Sequence, residues 1–195
     1  PESTTKGLLL GRKMAEQYRQ AFADMHPAFK NAFLVATGSQ LGIRETRRII
    51  GDYYATIDDY LARRSFPDEI CRNAYGIDVH GAKKRETAVS KMDIAAAKRA
   101  NKEQVKEFGP GESFGVPYRC LTPKGLTNVL VAGRCISTDR HVNGSVRIMA
   151  CCLNTGEAAG IAAAMAASSN GAVHSVDADE LRTKLKQYGA YLPEA

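Results

Sequence analysis

The sequence predicts a mixed α/β fold, and its last third gives the clearest evidence. Residues 129–132 are a short apolar run closed by Gly133, which is typical of a buried parallel strand. Residues 146–167 form a long alanine-rich run of helical length. Earlier apolar or alternating runs predict a small, partly antiparallel sheet drawn from residues 32–54, 75–80 and 113–121.

The loop between that strand and that helix predicts a corner where ligands bind. Residues 138–144 are polar and contain the turn pair Asn143-Gly144, so we expect a loop there. Ser145 stands where the N-cap of the long helix is expected. Ligands of open α/β sheets bind beyond the carboxyl ends of the strands, and a helix N-terminus favours an anion or an electron-rich oxygen.

The predicted long helix is apolar nearly all round. Its polar side chains are Arg147, Asn154, Thr155 and Glu157. Such a helix is expected to be covered on most sides. Gly156 and Gly160 lie on one face and would let another backbone come close. The run is long enough to cross a membrane, but its alanine content and two charges favour a buried helix.

Periodicity and capping residues predict three further helices. They cover residues 6–25, with one buried apolar face, residues 57–63 after an N-cap at Thr56, and a last stretch from Asp177 or Asp179 to Tyr188, capped by Gly189. Residues 68–74 favour a second short helix or a turn.

Composition limits the classes of function. Of 195 residues, 44% are hydrophobic and 25% charged, as in ordinary globular proteins. The net charge of +6 is spread along the chain, whereas nucleic-acid binders show a clustered basic face, so we expect no nucleic-acid partner. Five cysteines without a C-x-x-C pair predict reduced, mostly buried thiols in a cytoplasmic protein. Residues 82–108 are basic and are interpreted as an exposed helix or an insertion.

Charged residues in the first half are candidates for binding a substrate. Residues 41–51 place Arg44, Arg47 and Arg48 beside Glu45, which indicates either a solvated edge strand or anion recognition by arginine forks. His80 ends a predicted strand and is either structural or catalytic. No spacing supports a nucleophile triad, a metal site or a glycine-rich nucleotide loop.

Four segments in the second half of the chain carry a family signal. They are PYRCL at residues 117–121, NVLVAGRCIS at 128–137, GSVRIM at 144–149 and TGEAAG at 155–160. Together they resemble the C-terminal part of the FAD-dependent oxidoreductases of the glutathione-reductase-like superfamily. GIRETRRIIG at 42–51 and GIDVH at 76–80 are similar to the substrate-side segments of bacterial members, whose substrates are mostly unassigned. The resemblance covers residues 8–167 and implies a Rossmann-like, FAD/NAD(P)-binding fold with part of its substrate domain.

That resemblance implies which residues contact the cofactor, FAD. Gly133 and Arg134 would lie beside its ribityl–pyrophosphate part. Ser145, Val146 and Arg147 would offer backbone N–H groups to the pyrimidine edge of the flavin, where negative charge gathers on reduction.

The resemblance also implies an oxidoreductase that passes a hydride between flavin and a small organic substrate. The catalytic, substrate-facing candidates are Arg44, His80, Tyr118 and Arg119. They would serve as an anion clamp or as a proton donor, which predicts an anionic group on the substrate.

The nucleotide-binding βαβ unit of the family has no counterpart in this sequence. We therefore expect the C-terminal portion of a larger flavoenzyme, partnered by its own N-terminal part, inactive alone and binding FAD weakly or not at all. Residues 1–123 would hold the first helix and the substrate-side sheet, with a basic insertion at 82–108. Residues 124–195 would be the strand–helix part of the FAD-binding domain, and apolar surface left open there would allow a homodimer.

Two other classes of function stay open at this point. A module that kept the flavoprotein fold could bind ligands or partners without catalysis. A basic domain using residues 83–106 would associate with nucleic acid, and its binding would weaken with salt.

Overall fold

The computed structural model of the chain describes residues 2–45, 47–79 and 108–193. These residues fall into two compact units, Pro1–Ile43 and Arg44–Ala195. Helices dominate and are joined by one small sheet, which confirms the mixed α/β prediction at that level. All buried hydrophobic side chains of the described ranges lie in the second unit.

The first unit consists of helix α1 (Glu2–Met25) and a 3-10 turn, Pro27–Phe29. The ring of Phe29 packs on that of Phe22, with centroids 5.5 Å apart. The predicted buried face is wrong, since α1 has no buried residue and Leu10 is 58% exposed. The spacing of an apolar stripe indicates a helix, but only a covering surface can bury it. Residues 32–36 form no strand, because no backbone hydrogen bond joins them to a neighbouring segment of the described chain.

The sheet of the second unit has two antiparallel strands, β1 (Glu69–Asn73) and β2 (Phe114–Pro117). A bulge between Glu69 and Cys71 shifts the register. The prediction of a short helix or turn at 68–74 is therefore wrong, because burial against β2 outweighs local propensity. The predicted strand at 75–80 is also not found at 75–79, and His80 lies outside the described residues.

An extended segment, residues 49–55, crosses the second unit between two other segments. Its Ile49 N–H donates to Cys135 O over 2.9 Å. Glycine is needed at position 51, because a Cβ on Gly51 would lie 2.8 Å from Arg119 O. This close approach ties the first third of the chain to its middle third.

Four helices lie in the described part of the second unit. They are α2 (Ile57–Leu61), α3 (Arg140–Val146), α4 (Met149–Ala167) and α5 (Ala178–Gln187). The predicted caps of α2 and α5 are confirmed: Thr56 N donates to Asp59 Oδ2, and Asp179 N to Asp177 Oδ1, each over 2.9 Å. Gly189 follows α5 with φ +95°, as the predicted cap requires.

Two predictions at the C-terminal corner are wrong. The expected loop at 138–144 is largely helix α3, whose N-cap Asp139 accepts from Val142 N over 2.8 Å. Ser145 is therefore inside α3, and α4 begins after Ile148, at a bend of 91° from α3. Residues 129–132 form no strand, because only Val131 N, which donates to Leu121 O, pairs with another segment of the described chain.

The core lies where α4 packs on β1 and α5 packs on both. Tyr60, Phe114 and Leu181 are fully buried there. Each such side chain contributes about 1.5–3 kcal/mol relative to exposure.

Helix α4 is covered by the described residues on one side only. The prediction that it is covered on most sides is therefore wrong. The buried stripe of α4 is Cys151, Thr155, Ala158, Ala162 and Ala166. On the other side Leu153 is 73% exposed, and Gly156 and Gly160 have no neighbour within 4 Å of a Cβ position. Taken singly, no helix of the described ranges has both the length and the apolar run needed to cross a membrane.

Candidate functional site

The predicted cofactor turn is a single 3-10 turn, Gly133–Cys135. Gly133 has φ +73°, a conformation that glycine adopts without strain. Its N–H donates to Thr155 Oγ1 over 3.0 Å, which fixes the turn on α4. The side chain of Arg134 is exposed, and its carbonyl accepts from Asn143 Nδ2 over 3.0 Å. The turn therefore touches both α3 and α4.

Ser145 and Val146 face the protein interior. Ser145 Oγ accepts from Asn73 Nδ2 and donates to Tyr75 O, both over 2.6 Å. Val146 is 1% exposed and belongs to the hydrophobic core. Because both residues lie in the last turn of α3, they are not at a helix start. Their assignment to the cofactor stays a prediction.

Gly144 explains why the GSVR motif begins with glycine. A Cβ on Gly144 would lie 2.7 Å from Val79 Cγ2 and 3.2 Å from Asp78 O. Residues 75–79 can therefore cross α3 only at Gly144, which has no side chain. The motif holds the segment that leads to His80.

Charged side chains clamp the same crossing. Arg147 donates from Nη1 to Glu45 Oε2 over 3.0 Å and from Nη2 to Asp78 O over 2.5 Å. Arg44 pairs with the Asp78 carboxylate, and Arg140 Nε lies 3.6 Å from Glu45 Oε1. The Arg147 side chain is only 9% exposed, so its charge needs these partners. Within the described residues, these ion pairs join three arginines to the carboxylates of Glu45 and Asp78.

Arg119 is engaged by another carboxylate. Its Nε and Nη2 donate to Asp68 Oδ2 and Oδ1 over 2.9 and 3.1 Å, a two-pronged pair. The guanidinium carbon lies 5.1 Å from the ring centroid of Tyr53. The hydrogen bond to Asp68 raises the pKa of Arg119. A substrate anion at this arginine would have to replace Asp68.

Tyr118 is buried, and its hydroxyl donates to Val173 O over 2.8 Å. Burial, and then the charge of Asp52, raise the pKa of Tyr118 to about 12. The phenol is therefore protonated at neutral pH, and its proton is directed at a backbone carbonyl.

The structure groups the predicted residues differently from the sequence. Arg44, predicted for the substrate, and Arg147, predicted for the cofactor, meet at Asp78. Tyr118 and Arg119 share one 3-10 turn but contact different partners. His80 lies outside the described residues.

Glu45 and Asp78 are functional candidates that sequence reasoning missed. Each contacts two of the network's arginines. Both lie inside the GIRETRRIIG and GIDVH segments, so those segments carried a usable signal. An acid next to an arginine cluster is a candidate partner for it.

Unpartnered buried atoms lie on residues 138–143, which follow the turn at Gly133 in sequence. Within the ranges that the structure describes, the buried side-chain atoms without a hydrogen-bond partner are Thr138 Oγ1, His141 Nδ1 and Asn143 Oδ1. Buried polar atoms are usually paired, so such a concentration is unusual. The Asn143 amide is oriented by its bond to Arg134 O, which leaves the unpaired oxygen beside the turn. Flavin and ribityl groups carry N–H and O–H donors, the complement of these acceptor atoms, whereas Thr138 and Asn143 are fully buried.

The described part of the chain also contains two cavities and three buried thiols. Cavities of about 570 and 250 Å³ lie along α5, and neither is lined by a predicted site residue. The cysteines are free thiols and three of the five are buried, as predicted. Burial raises the pKa of Cys120 to about 12, and a hydrogen bond with Cys71 raises that of Cys151. Such thiols stay protonated and are poor nucleophiles.

The chain matches the family described as FAD dependent oxidoreductase over residues 2–185. Neither a search of curated proteins nor a search of solved structures found a significant match. The family match spans nearly the whole chain and includes the turn at Gly133, the α3–α4 corner and the Asp78 network. The chain therefore belongs to the FAD-dependent oxidoreductase family, and its cofactor is FAD.

Proposed function

We propose that this chain is the C-terminal portion of a larger, Rossmann-like flavoenzyme of the glutathione-reductase-like superfamily. The enzyme transfers a hydride between flavin and a small organic substrate with an anionic group. One observation carries the proposal: Asn143, inside α3, and Arg147, the C-cap of α3, lie four residues apart and therefore on the same face of the helix. Asn143 contacts the cofactor turn, and Arg147 contacts the substrate-side segment through Asp78.

On the cofactor side, Gly133, Arg134, Thr138 and Asn143 would hold FAD. Bound FAD supplies the two-electron acceptor for the hydride. The left-handed turn at Gly133 lets a ligand approach the backbone, and the unpaired atoms of Thr138 and Asn143 gain partners. Ser145, Val146 and Arg147 would form the wall behind this site.

On the substrate side, Arg44 and Arg147 would bind the anionic group. A substrate carboxylate can take the place of Asp78 at Arg44. The Arg44 side chain is 49% exposed, so an anion can reach it. His80, which follows Val79 in sequence, is proposed as the proton donor.

Flavin titration tests the proposal. We expect the chain alone to bind FAD weakly and to catalyse no turnover, because the Gly133 turn is half-exposed and lies outside both cavities. Linked to its N-terminal part, it should hold stoichiometric FAD that an anionic substrate bleaches. Arg44→Gln should slow bleaching and keep the FAD content. Arg64→Gln, which removes an exposed arginine paired with Asp59, should change neither.

The alternative is a non-catalytic binding or interaction module derived from the same fold. The internal partners of Tyr118 and Arg119 favour it, since neither side chain is free for a substrate as described. Stoichiometric FAD that no substrate bleaches in the linked protein would support this alternative. We also propose a cytoplasmic location and a homodimer that uses the exposed face of α4.

A further inference from the structure

His174 is held between two acceptors from distant parts of the chain. Its Nδ1 lies 2.6 Å from Asp52 Oδ2, and its Nε2 lies 2.7 Å from Leu126 O. A carboxylate and a carbonyl can only accept hydrogen bonds, so both ring nitrogens must carry a proton for both bonds to form. The geometry therefore selects the imidazolium form of His174.

The histidine joins three segments that backbone hydrogen bonds also tie together at the ends of one loop. Lys124 N donates to Ile50 O over 2.9 Å. Asp52 N donates to Thr122 O, and Val173 N to Thr127 O, both over 3.1 Å. Between these bonds, residues 124–127 form an exposed loop. The two bonds of His174 fix the middle of this loop at Leu126.

We propose that Asp52, His174 and the Leu126 carbonyl form a pH-operated clasp. It closes the loop at 124–127 onto the turn Val173–Ser175 while His174 is protonated. When His174 loses its second proton, one of its two bonds is lost, and the link that His174 makes between Asp52 and the Leu126 carbonyl is broken.

The surroundings set the pH range of this clasp. The Leu126 carbonyl and then the Asp52 carboxylate raise the pKa of His174. Burial acts to raise the pKa of Asp52, but hydrogen bonds from Thr122 and His174 outweigh it and lower the pKa. The other charged and titratable groups acting on the pair are Lys124, which favours ionised Asp52, and Tyr118, which stays protonated.

The sign of the pH effect follows from these directions. The contribution of His174 is complete below its pKa in the unfolded chain and is lost as pH rises through its raised folded pKa. The contribution of Asp52 is lost as pH falls through its lowered folded pKa. The clasp is therefore closed between these two limits and opens on the alkaline side.

Opening the clasp also affects the residues that follow the loop in sequence. The loop leads directly into residues 128–133, and Asn128 Cβ packs 3.4 Å from a Cβ position on Gly171. Breaking the link between Asp52 and Leu126 loosens the approach to the Gly133 turn from its N-terminal side. This inference does not rest on flavin binding.

An NMR titration of the full chain tests the clasp directly. The His174 ring protons should titrate at a higher pH than in the same chain unfolded in urea, and Asp52→Asn should lower that value. Titration at or below the unfolded value would overturn the proposal.

Urea unfolding supplies the second measurement. The wild-type midpoint should fall from the acidic to the alkaline side of the His174 titration, and His174→Gln should lose most of this fall. The site is about one-third exposed, so the variant should fold, which circular dichroism checks. His26→Gln removes an exposed histidine of the first unit and should keep the wild-type fall. If His174→Gln keeps it as well, the clasp does not exist.

Discussion

Gly115 on β2 lies directly against a buried carboxylate. Glu69 is 1% exposed, and its Oε2 accepts from Arg72 Nη1 over 2.9 Å and from Phe66 N over 3.2 Å. A Cβ on Gly115 would overlap that oxygen. The glycine is therefore required by close packing, and its backbone conformation would suit any residue.

We expect Gly115→Ala to destabilise the chain by about 1–3 kcal/mol, the usual cost of overpacking a buried site. The added methyl must push Glu69 away from Arg72, which also weakens a buried ion pair. The change is measured as the free energy of unfolding in urea. Gly156→Ala is the matched control, because its Cβ meets no atom within 4 Å in α4. That variant should gain roughly 0.5–1 kcal/mol, so equal effects of the two substitutions would contradict the packing argument.

Thr138 tests whether the unpaired atoms belong to the cofactor site. Its hydroxyl is fully buried without a hydrogen-bond partner in the described structure. Thr138→Val keeps the shape and removes that hydroxyl, so the chain without FAD should gain up to about 1 kcal/mol in urea unfolding. The linked protein should bind FAD more weakly in a flavin fluorescence titration.

Thr155→Val is the control for this prediction. Thr155 Oγ1 accepts from Gly133 N and donates to Cys152 O, over 3.0 and 3.1 Å. Its removal leaves a partly buried N–H without a partner, so this variant should lose stability instead. If Thr138→Val costs stability as Thr155→Val does, then the Thr138 hydroxyl has an internal partner and is not a cofactor contact.

Among the elements, those with locally determined ends could be predicted from the sequence. Thr56 and Asp177 begin α2 and α5 because capping depends on a side chain within three residues of the helix start. The C-terminal end of α4 was predictable as well, since a loop of serine, asparagine and glycine follows it. Such signals need no information about distant parts of the chain.

Elements whose state depends on distant partners could not be predicted this way. Asn143-Gly144 is a turn signal locally, yet it lies in α3 because residues 75–79 cross at Gly144. Residues 69–73 become a strand because β2 covers them, across more than forty positions of sequence. The same holds for residues 129–132, which have a strand's composition but lack a full set of partners in the described structure.

In the candidate site, too, features that depend on distant partners could not be predicted from the sequence. Arg44, Asp78 and Arg147 lie within the motif segments and meet around α3, whereas the sequence assigned Arg44 to the substrate and Arg147 to the cofactor. The partners of those residues could not be read from spacing, since Arg147 and Glu45 are 102 positions apart. The structure therefore supplied the contacts among these residues, and their roles stay predictions.

At the scale of the molecule, one core joins the two parts that the sequence separates at residue 123. Phe114 and Leu121 belong to the same cluster of buried residues as Ile136 and Leu181. Hydrogen bonds also cross the division, as from Arg182 Nη1 to Glu69 O over 2.8 Å. Neither part can bury its own apolar residues without the other.

We therefore expect residues 44–123 and 124–195, expressed separately, to be unfolded, and to regain structure when mixed. Ala55 N donates to Ser137 O and Ser137 N to Cys120 O, so the contacts that order each part come from its partner. Circular dichroism of each piece and of the equimolar mixture measures this, and NMR of a labelled piece shows whether its amide signals disperse on mixing. As a control, each piece is mixed with a partner that carries a charge in the core, Leu121→Asp in one and Leu181→Asp in the other, because both leucines are fully buried. Recovery with the wild-type partner and not with the charged one requires a shared core, whereas dispersed signals from either piece alone would show two separate cores.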